Sequence, residues 1–433
     1  MSDSDNGRVS VAVIGAGSRG MTSYGKYIED HPELAHVVAV AEPRDYHRNE
    51  MVRRHNIPAE NVFRTWQELL DRPKLADAVI VATTERLHTA PSVRAAQKGY
   101  HILLEKPMAS TADECIEIVA AAKRHNIVLA VCHVLRYAPF YVKIKEIIDS
   151  GSLGEICTIQ HMEGVAWWHH AHSFVRGNFR NVAGSSFVLL AKSCHDIDIL
   201  RWWIDRPCLR VSSFGHLKHF RREAAPPEAA ERCMDCPLAD ERCPYSAKRF
   251  YFGKLNQSGF GWPLAMVIEE PDSAALEKAL REGPYGRCVY ACDNDVMDSQ
   301  VVNMEFEDGI TAGFTLSAFT PHGRKVRVMG SKGYLEGEEQ MIRVLDFLSE
   351  QWTEYDVNKL AADMTGGHGG GDQGLMKAFF GAIGNGSAVA IRTGPDVTLD
   401  SHLIVFAAEK ARLERRVVEM SEMYAGLKPP TNA

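Results

Sequence analysis

Along the first third of the chain, apolar residues come in short, nearly continuous runs: Val9–Ile14, Val37–Ala41, Ala78–Ala82, Ile102–Leu104 and Ile127–Val131. Between them lie stretches of helical spacing such as Asp113–Arg124, where Ile116, Val119 and Ala120 share a face. A run that is apolar throughout, rather than alternating, marks a strand buried on both faces. Such strands alternating with helices predict a parallel sheet with crossover helices.

Past Pro139 the rhythm changes. A helix around Tyr141–Ser150 and a Gly151-Ser152-Leu153-Gly154 turn lead into the strand Ile156–Met162, and a long helix is predicted over Ser186–Trp203. Strand-like runs then follow at Leu209–Phe214, Val301–Phe306, Thr311–Leu316, Val326–Val328 and Met341–Leu348, joined by turn signals such as Glu307-Asp308-Gly309. The reading is an α/β Rossmann domain over 1–138, followed by an α+β domain over 139–425 with a large, mostly antiparallel open sheet. An insertion at 221–297, rich in Pro, Cys and charge, interrupts that second domain, and 426–433 is a tail. The glycine patch at 366–371 reads as a loop before a helix at Asp372–Ile383. A last helix, Ser401–Val417, has apolar residues able to pack back on the first domain.

The first run ends on Gly15-Ala16-Gly17-Ser18-Arg19-Gly20 and opens into a helix-compatible stretch. In that position the first glycine makes a tight turn and the second lets backbone approach a pyrophosphate. The third lets helix and strand pack closely, and the helix N-terminus faces the phosphates. The acidic reader of the adenosine ribose belongs at the end of the next strand, where Glu42 stands. Its charge disfavours a 2′-phosphate, so NAD is expected over NADP, although Arg44 is close enough to soften that preference. Glu105-Lys106-Pro107 follows the strand Ile102–Leu104, at the carboxyl edge where open α/β sheets bind ligands. A lysine there is placed to exchange a proton with a substrate hydroxyl.

Composition narrows the partners. At 433 residues, 45% hydrophobic and 24% charged, the chain is that of an ordinary globular protein, and no apolar run approaches the length of a spanning helix. A net charge of −7 gives no electrostatic footprint for nucleic acid, so a small molecule is the expected partner. Met1-Ser2-Asp3-Ser4-Asp5-Asn6 lacks the features of a secretory signal, and a cytoplasmic location is expected.

The segments Val13-Ile14-Gly15-Ala16-Gly17, Ala41-Glu42-Pro43, Thr83 to His88 and Gly99-Tyr100-His101-Ile102-Leu103-Leu104-Glu105-Lys106-Pro107 together resemble the Gfo/Idh/MocA oxidoreductases. The resemblance implies a bound nicotinamide cofactor, touched by Gly15, Gly17, Ser18, Arg19, Gly20, Glu42, Thr83, His88, Glu105 and Lys106. It implies oxidation or reduction at a secondary alcohol of a sugar, cyclitol or related polyol, with Lys106 as the catalytic lysine. Homodimers or homotetramers formed through the second domain's sheet are implied as well. The family's second chemical element is a helix histidine preceded four positions earlier by an aspartate. His195 matches the histidine, but the aspartate position is Ala191, with Lys192 beside it. Three-residue spacing places Lys192 and His195 on one helical face, where both become candidates for proton transfer or substrate holding.

Arg136, after the strand Ile127–Val131, either orients cofactor or substrate or serves as a structural ion-pair partner. Trp168, His172, Arg176, Asn178 and Arg180 come off the strand Ile156–Met162 as candidate substrate ligands, since aromatic faces stack on sugar rings and Arg and Asn bind hydroxyls or carboxylates. Asp293-Asn294-Asp295 with Asp298 is either a carboxylate cluster near the substrate or an acidic turn. Cys233, Cys236 and Cys243 crowd into a proline-punctuated loop, and Cys288 lies at the far end of the same insertion. With Cys292 as the substitute fourth ligand, these predict a structural zinc stapling a segment too poor in apolar surface to hold itself. Cys115, Cys132, Cys157, Cys194 and Cys208 are expected as small core residues.

Two chemistries share this layout. The first is NAD-dependent dehydrogenation of a polyhydroxylated ring. The alternative is a redox-assisted glycosidase or lyase in which tightly bound NAD oxidises the sugar transiently, a glycosidic substituent is eliminated, and the ring is reduced again.

Overall fold

The computed structural model describes residues 8–257, 260–338, 340–360 and 367–425. The acidic N-terminal hexapeptide, Gly366 of the glycine patch and the tail expected at 426–433 lie outside the described residues. Among the described residues two sheets form. The first contains β1 (Val9–Ile14), β2 (Ala35–Ala41), β3 (Val62–Phe63), β4 (Ala78–Val81), β5 (His101–Leu104) and β6 (Leu129–Val131), all parallel, in the order β3-β2-β1-β4-β5-β6. The strand order reverses between β1 and β4, and the crevice at their carboxyl ends is where such sheets take ligands.

The pleat of β1 feeds both faces of this sheet. Ala12 and Ile14 join a core that includes Ile118 and Ala122 from the helix Ala112–Arg124. Val11 and Val13 join Tyr24, Ile28 and Met51, together with Leu375, Met376, Phe379 and Phe380 from the helix Gly371–Asn385. A helix from the far end of the chain therefore completes the first domain. Fully burying side chains of this size contributes about 1.5–3 kcal/mol each, so the domains are held by more than a linker.

The second sheet comprises β7 (Ile156–Gly164), β8 (Cys208–His216), β9 (Ser299–Phe306), β10 (Thr311–Ser317), β11 (Gly323–Gly330), β12 (Gly333–Glu338), β13 (Met341–Asp346), β14 (Trp352–Asp356) and β15 (Val418–Glu419). Their order is β14-β13-β12-β11-β7-β10-β9-β8-β15, and β7 with β10 is the parallel pair in an otherwise antiparallel set. Burial alternates along β9 and β10, which marks a sheet covered on one side. The covering layer includes the helices Cys194–Ile204 and Pro395–Glu414, and buried Trp203 donates its indole N–H to Tyr141 O at 3.1 Å.

Two expectations change. The single helix over Ser186–Trp203 is broken into Val188–Ala191 and Cys194–Ile204, with Lys192 and Ser193 between them at φ −105° and −106°. Cys157 is exposed rather than in the core. The segment read as an insertion lies between β8 and β9. It has its own apolar centre in Ala247, Tyr251, Leu264, Ile268, Leu276, Leu280 and Tyr285, built by the helices Ala247–Gln257 and Ser273–Glu282.

Candidate active site

The glycine turn has the shape that a pyrophosphate cradle requires. Gly15 sits at φ +90°, and a Cβ there would lie 2.6 Å from Ala82 O at the end of β4. A Cβ on Gly20 would collide with Gly15 O at 1.9 Å, so turn and following helix are in direct backbone contact. At Gly17 the nearest atom is Arg44 Nη2, 3.5 Å from a built Cβ. The backbone above the turn is thus open where a dinucleotide's phosphates would lie. At its adenosine end, buried Glu42 accepts from Ala16 N at 2.8 Å, from Arg44 N at 3.0 Å and from Arg44 Nε at 2.7 Å. Burial pushes this carboxyl up, but the bonds from Arg44 and Ala16 outweigh it and hold it below its ordinary value. These residues fit a nicotinamide dinucleotide with an unmodified adenosine ribose.

Arg19 and Glu105 brace the site instead of lining it. Arg19 Nε donates to Glu105 Oε1 at 2.6 Å, and its Nη2 donates to Asp372 Oδ1 at 2.6 Å. Glu105 Oε1 also accepts from Tyr24, and its Oε2 accepts from Lys106 N at 2.8 Å. Burial raises the Glu105 carboxyl, but Arg19 and Lys106 more than reverse that. His88 spans two turns, with Nδ1 2.9 Å from Pro107 O and Nε2 3.1 Å from Thr83 O. It fixes the ends of β4 and β5 relative to one another.

Lys106 reaches across the cleft and donates from Nζ to Ala191 O at 3.0 Å, the carbonyl where the broken helix stops. His195, in the first turn after that break, is buried and its Nδ1 has no hydrogen-bond partner. Burial, then the nearby charge of Lys106 and the neighbouring rings of His133 and His368, hold His195 well below its ordinary value. It is a neutral imidazole. Lys192 turns toward β7, its Nζ 3.2 Å from Glu163 Oε1. Arg324 Nε lies 2.7 Å from Glu163 Oε2 and directs its N–H to Asp196 Oδ1, also at 2.7 Å, which His161 Nε2 meets at 2.8 Å. A neutral imidazole flanked by cations over a buried acidic pair is thus the floor of the cleft.

Family models for the NAD-binding Rossmann fold and for the C-terminal alpha/beta domain of one oxidoreductase family match residues 9–133 and 145–420. The chain belongs to the Gfo/Idh/MocA oxidoreductases. A Bacillus subtilis protein named as an oxidoreductase, YteT, is 26% identical over 317 residues, covering 70% of this chain and 72% of its own. Levoglucosan dehydrogenase of Pseudarthrobacter phenanthrenivorans is 30% identical over 145 residues, 34% of this chain and 37% of that protein. A solved levoglucosan dehydrogenase in complex with NADH and levoglucosan superposes with a TM-score of 0.70 at 18% identity, over 95% of this chain and 99% of that one, which shows a shared fold.

Within this Gfo/Idh/MocA chain several expected ligands are committed elsewhere. Arg136 is buried and bidentate to Asp198 at 2.7 and 2.8 Å, with Nη1 on Arg392 O, so it is the structural ion-pair partner. Arg176 is buried in the insertion, donating to Arg287 O and Tyr245 O at 2.7 Å each. His172 packs on Tyr285 at 4.9 Å and bonds Tyr251 through Nδ1 at 2.6 Å. Arg180 pairs with Asp293 at 2.9 Å, and Asn178 is exposed. Asp295 accepts from Val182 N, and buried Asp298 accepts from the Lys218 and His219 amides, so the acidic segment is a turn scaffold. Trp168 is half-buried, with its ring 5.4 Å from Phe250 and 5.6 Å from Trp262.

The zinc expectation is corrected. Cys233, Cys236, Cys243 and Cys288 do line one cavity, of about 40 Å³. Among the described residues, however, no group of three or more His, Cys, Asp or Glu is arranged to hold a metal. Cys233 Sγ instead takes Ala247 N at 3.4 Å and Arg176 Nη2 at 3.5 Å. The insertion's own apolar centre removes the need for a staple.

Sequence reasoning passed over Glu163, Arg324 and His322. Glu163 and Arg324 sit at strand ends, where periodicity cannot say that two distant strands will be neighbours; their pairing in register is a tertiary fact. The segment His133-Val134-Leu135-Arg136-Tyr137 drew attention for its arginine, yet it is His133 that packs edge-on to His195 at 5.4 Å.

Proposed function

We propose that this oxidoreductase is an NAD-dependent dehydrogenase acting on a secondary alcohol of a sugar, cyclitol or related polyol. The observation that carries the reading is Lys106 at the end of β5, bonded across the cleft to Ala191 O beside neutral His195. Nicotinamide, when bound, supplies the hydride acceptor or donor. In the oxidative direction neutral His195 takes the hydroxyl proton while the carbinol hydrogen leaves as hydride, with the Lys106 ammonium donating to the same oxygen, and His195 returns that proton in the reverse direction. His195 holds the same hydroxyl by a neutral ring nitrogen. Lys192 steadies a neighbouring oxygen. Glu42 accepts from the adenosine ribose, which favours NAD over NADP.

Relatives named as levoglucosan and inositol dehydrogenases favour net redox, and no observation favours the redox-neutral elimination. No helix among the described residues is long and apolar enough to cross a membrane. The exposed cross-strand pair Phe214 and Val301 on the open sheet supports a homo-oligomer, which light scattering tests.

Purified protein incubated with sugars, cyclitols and aryl glycosides, each with NAD and with NADP, is expected to accumulate reduced cofactor with at least one free polyol. Lys106→Ala is expected to abolish that turnover while cofactor still binds. Full turnover in Lys106→Ala, or aglycone release without reduced cofactor, defeats the assignment.

A further inference from the structure

We infer that the insertion builds an aromatic subsite for a second sugar unit beside the reacting ring, so that a glycoside or short oligosaccharide is preferred over the free monosaccharide. The inference rests on the polyol-oxidising reading of the cleft and names the substrate class within it.

The chain leaves β7 at Gly164, passes Ala166 at φ +71° and enters the turn Trp167–His170. This puts His169 beside the floor of the site: its ring stacks on His322 at 6.3 Å, two residues before Arg324, which pairs with Glu163. His169 packs edge-on to Trp262 of the insertion at 4.9 Å. Trp168 stacks on Phe250 at 5.4 Å and meets Trp262 at 5.6 Å. Two separate stretches of chain therefore meet in one aromatic wall that follows the end of β7.

A packing cluster would spend those faces in the interior. Here Trp262 is 49% exposed, Trp167 42% and Phe260 42%. Flat, solvent-open indole faces next to neutral imidazoles are the surfaces on which the C–H side of a pyranose stacks, with polar groups at the rim for hydroxyls. Lys254 supplies such a group, its Nζ 5.5 Å above the Trp168 ring, and among the described residues no carboxylate pairs with it. Beyond Trp168 the wall is built by Phe250 and Trp262 of the insertion. A single ring over His195 leaves Trp262 unused, whereas a second unit, glycosidically attached, covers it.

The test compares substrates that differ by one unit on the full-length protein saturated with NAD. Glucose is set against maltose and cellobiose, xylose against xylobiose, and galactose against galactobiose, following both reduced cofactor and calorimetric binding. In the active series the disaccharide is expected to exceed its monosaccharide about tenfold in kcat/KM, the upper range for aromatic stacking. Trp262→Ala should remove that ratio without changing monosaccharide turnover, and Trp262→Phe should keep most of it. Equal kcat/KM for both members of the series, or a ratio untouched in Trp262→Ala, overturns the subsite while leaving the dehydrogenase reading in place. Disaccharide binding that needs Trp262, without turnover of any sugar, retains the subsite and sinks the dehydrogenase reading. Neither binding nor turnover sinks both.

Discussion

Lys192 and Glu163 form an ion pair of 3.2 Å whose acidic partner is 1% exposed. Burial pulls the Lys192 ammonium down, Glu163 opposes this, and Arg324 and Lys106 push it further down. One carboxylate thus holds two cations together at the bottom of the cleft, since Arg324 takes its other oxygen.

The two halves of that pair are unequal. Glu163→Gln leaves Lys192, Arg324 and Lys106 with Asp196 as the nearby anion, a buried charge imbalance expected to cost about 3–5 kcal/mol. Lys192→Met still leaves Glu163 paired with Arg324 and should cost less than half as much. Urea unfolding of the two variants at pH 7 checks the order. A greater loss for Lys192→Met would mean that Arg324 does not compensate Glu163.

Glu42 holds Arg44 Nε at 2.7 Å and Nη2 at 3.1 Å, over the open backbone of Gly17. Removing the carboxylate charge frees that guanidinium to meet a 2′-phosphate. Glu42→Gln is expected to lower the ratio of kcat/KM for NAD over NADP by about 10- to 100-fold, the range of one or two charge-assisted hydrogen bonds. Arg44→Ala in the same background should reverse most of the NADP gain. An unchanged ratio would place the adenosine ribose elsewhere.

Arg136 separates a structural from a cofactor role. Asp198, which it clamps, also accepts from Ser401 Oγ at 2.8 Å and has His133 at 3.9 Å, all in the interior. Arg136→Ala strands a buried carboxylate and should cost about 3–5 kcal/mol of stability. NAD affinity, measured by calorimetry on the folded protein at low temperature, should stay within twofold. A large selective loss of NAD affinity with unchanged stability would restore the arginine as a cofactor ligand.

Five of the six strands of the first sheet were readable from the chain because they are apolar and buried, and Val9–Ile14 coincides with β1 residue for residue, whereas β3 is only two half-buried residues long. β12 and β14 were missed for the opposite reason. Gly-Tyr-Leu-Glu-Gly-Glu and Trp-Thr-Glu-Tyr-Asp carry few apolar residues, because β14 is a sheet edge and β12 has one wet face. The nucleotide end of the site is local in sequence, a turn and a strand end, so Gly15, Gly17 and Glu42 could be proposed together, and Glu42 does bond the turn at Ala16 N. The nicotinamide end is assembled from β5, the helix break, β7 and β11, and its ion pairs join residues far apart in the chain. The surroundings of Lys192 were hidden for the same reason. Helical spacing places it beside His195, but the helix stops at Ala191 and the side chain turns to a carboxylate that spacing does not reveal. Arg176 and His172 were misplaced because nothing local says that the insertion folds back over them.

Buried histidines give this protein a defined acid limb. Burial brings His133, His170 and His172 down to about 3 each and His402 down to about 4. In the unfolded chain the same groups titrate near about 6.5. Between those values the unfolded state binds protons that the folded state refuses, so stability is level above about pH 7 and falls as pH drops through 6.5 towards 3. The slope is about 1.4 kcal/mol per pH unit for each histidine involved. His170 isolates one such proton. It lies between Phe174 at 5.3 Å and Phe220 at 5.4 Å, nearly parallel to the latter, and neither ring nitrogen has a hydrogen-bond partner. A phenyl ring fits that stack without a polar atom to desolvate. His170→Phe is therefore expected to be more stable than the parent at pH 7, with the gain growing by about 1–2 kcal/mol at pH 5 as one proton drops out of the unfolding equilibrium. Urea unfolding at the two pH values measures this, and a gain equal at both would show that His170 takes up no proton on unfolding.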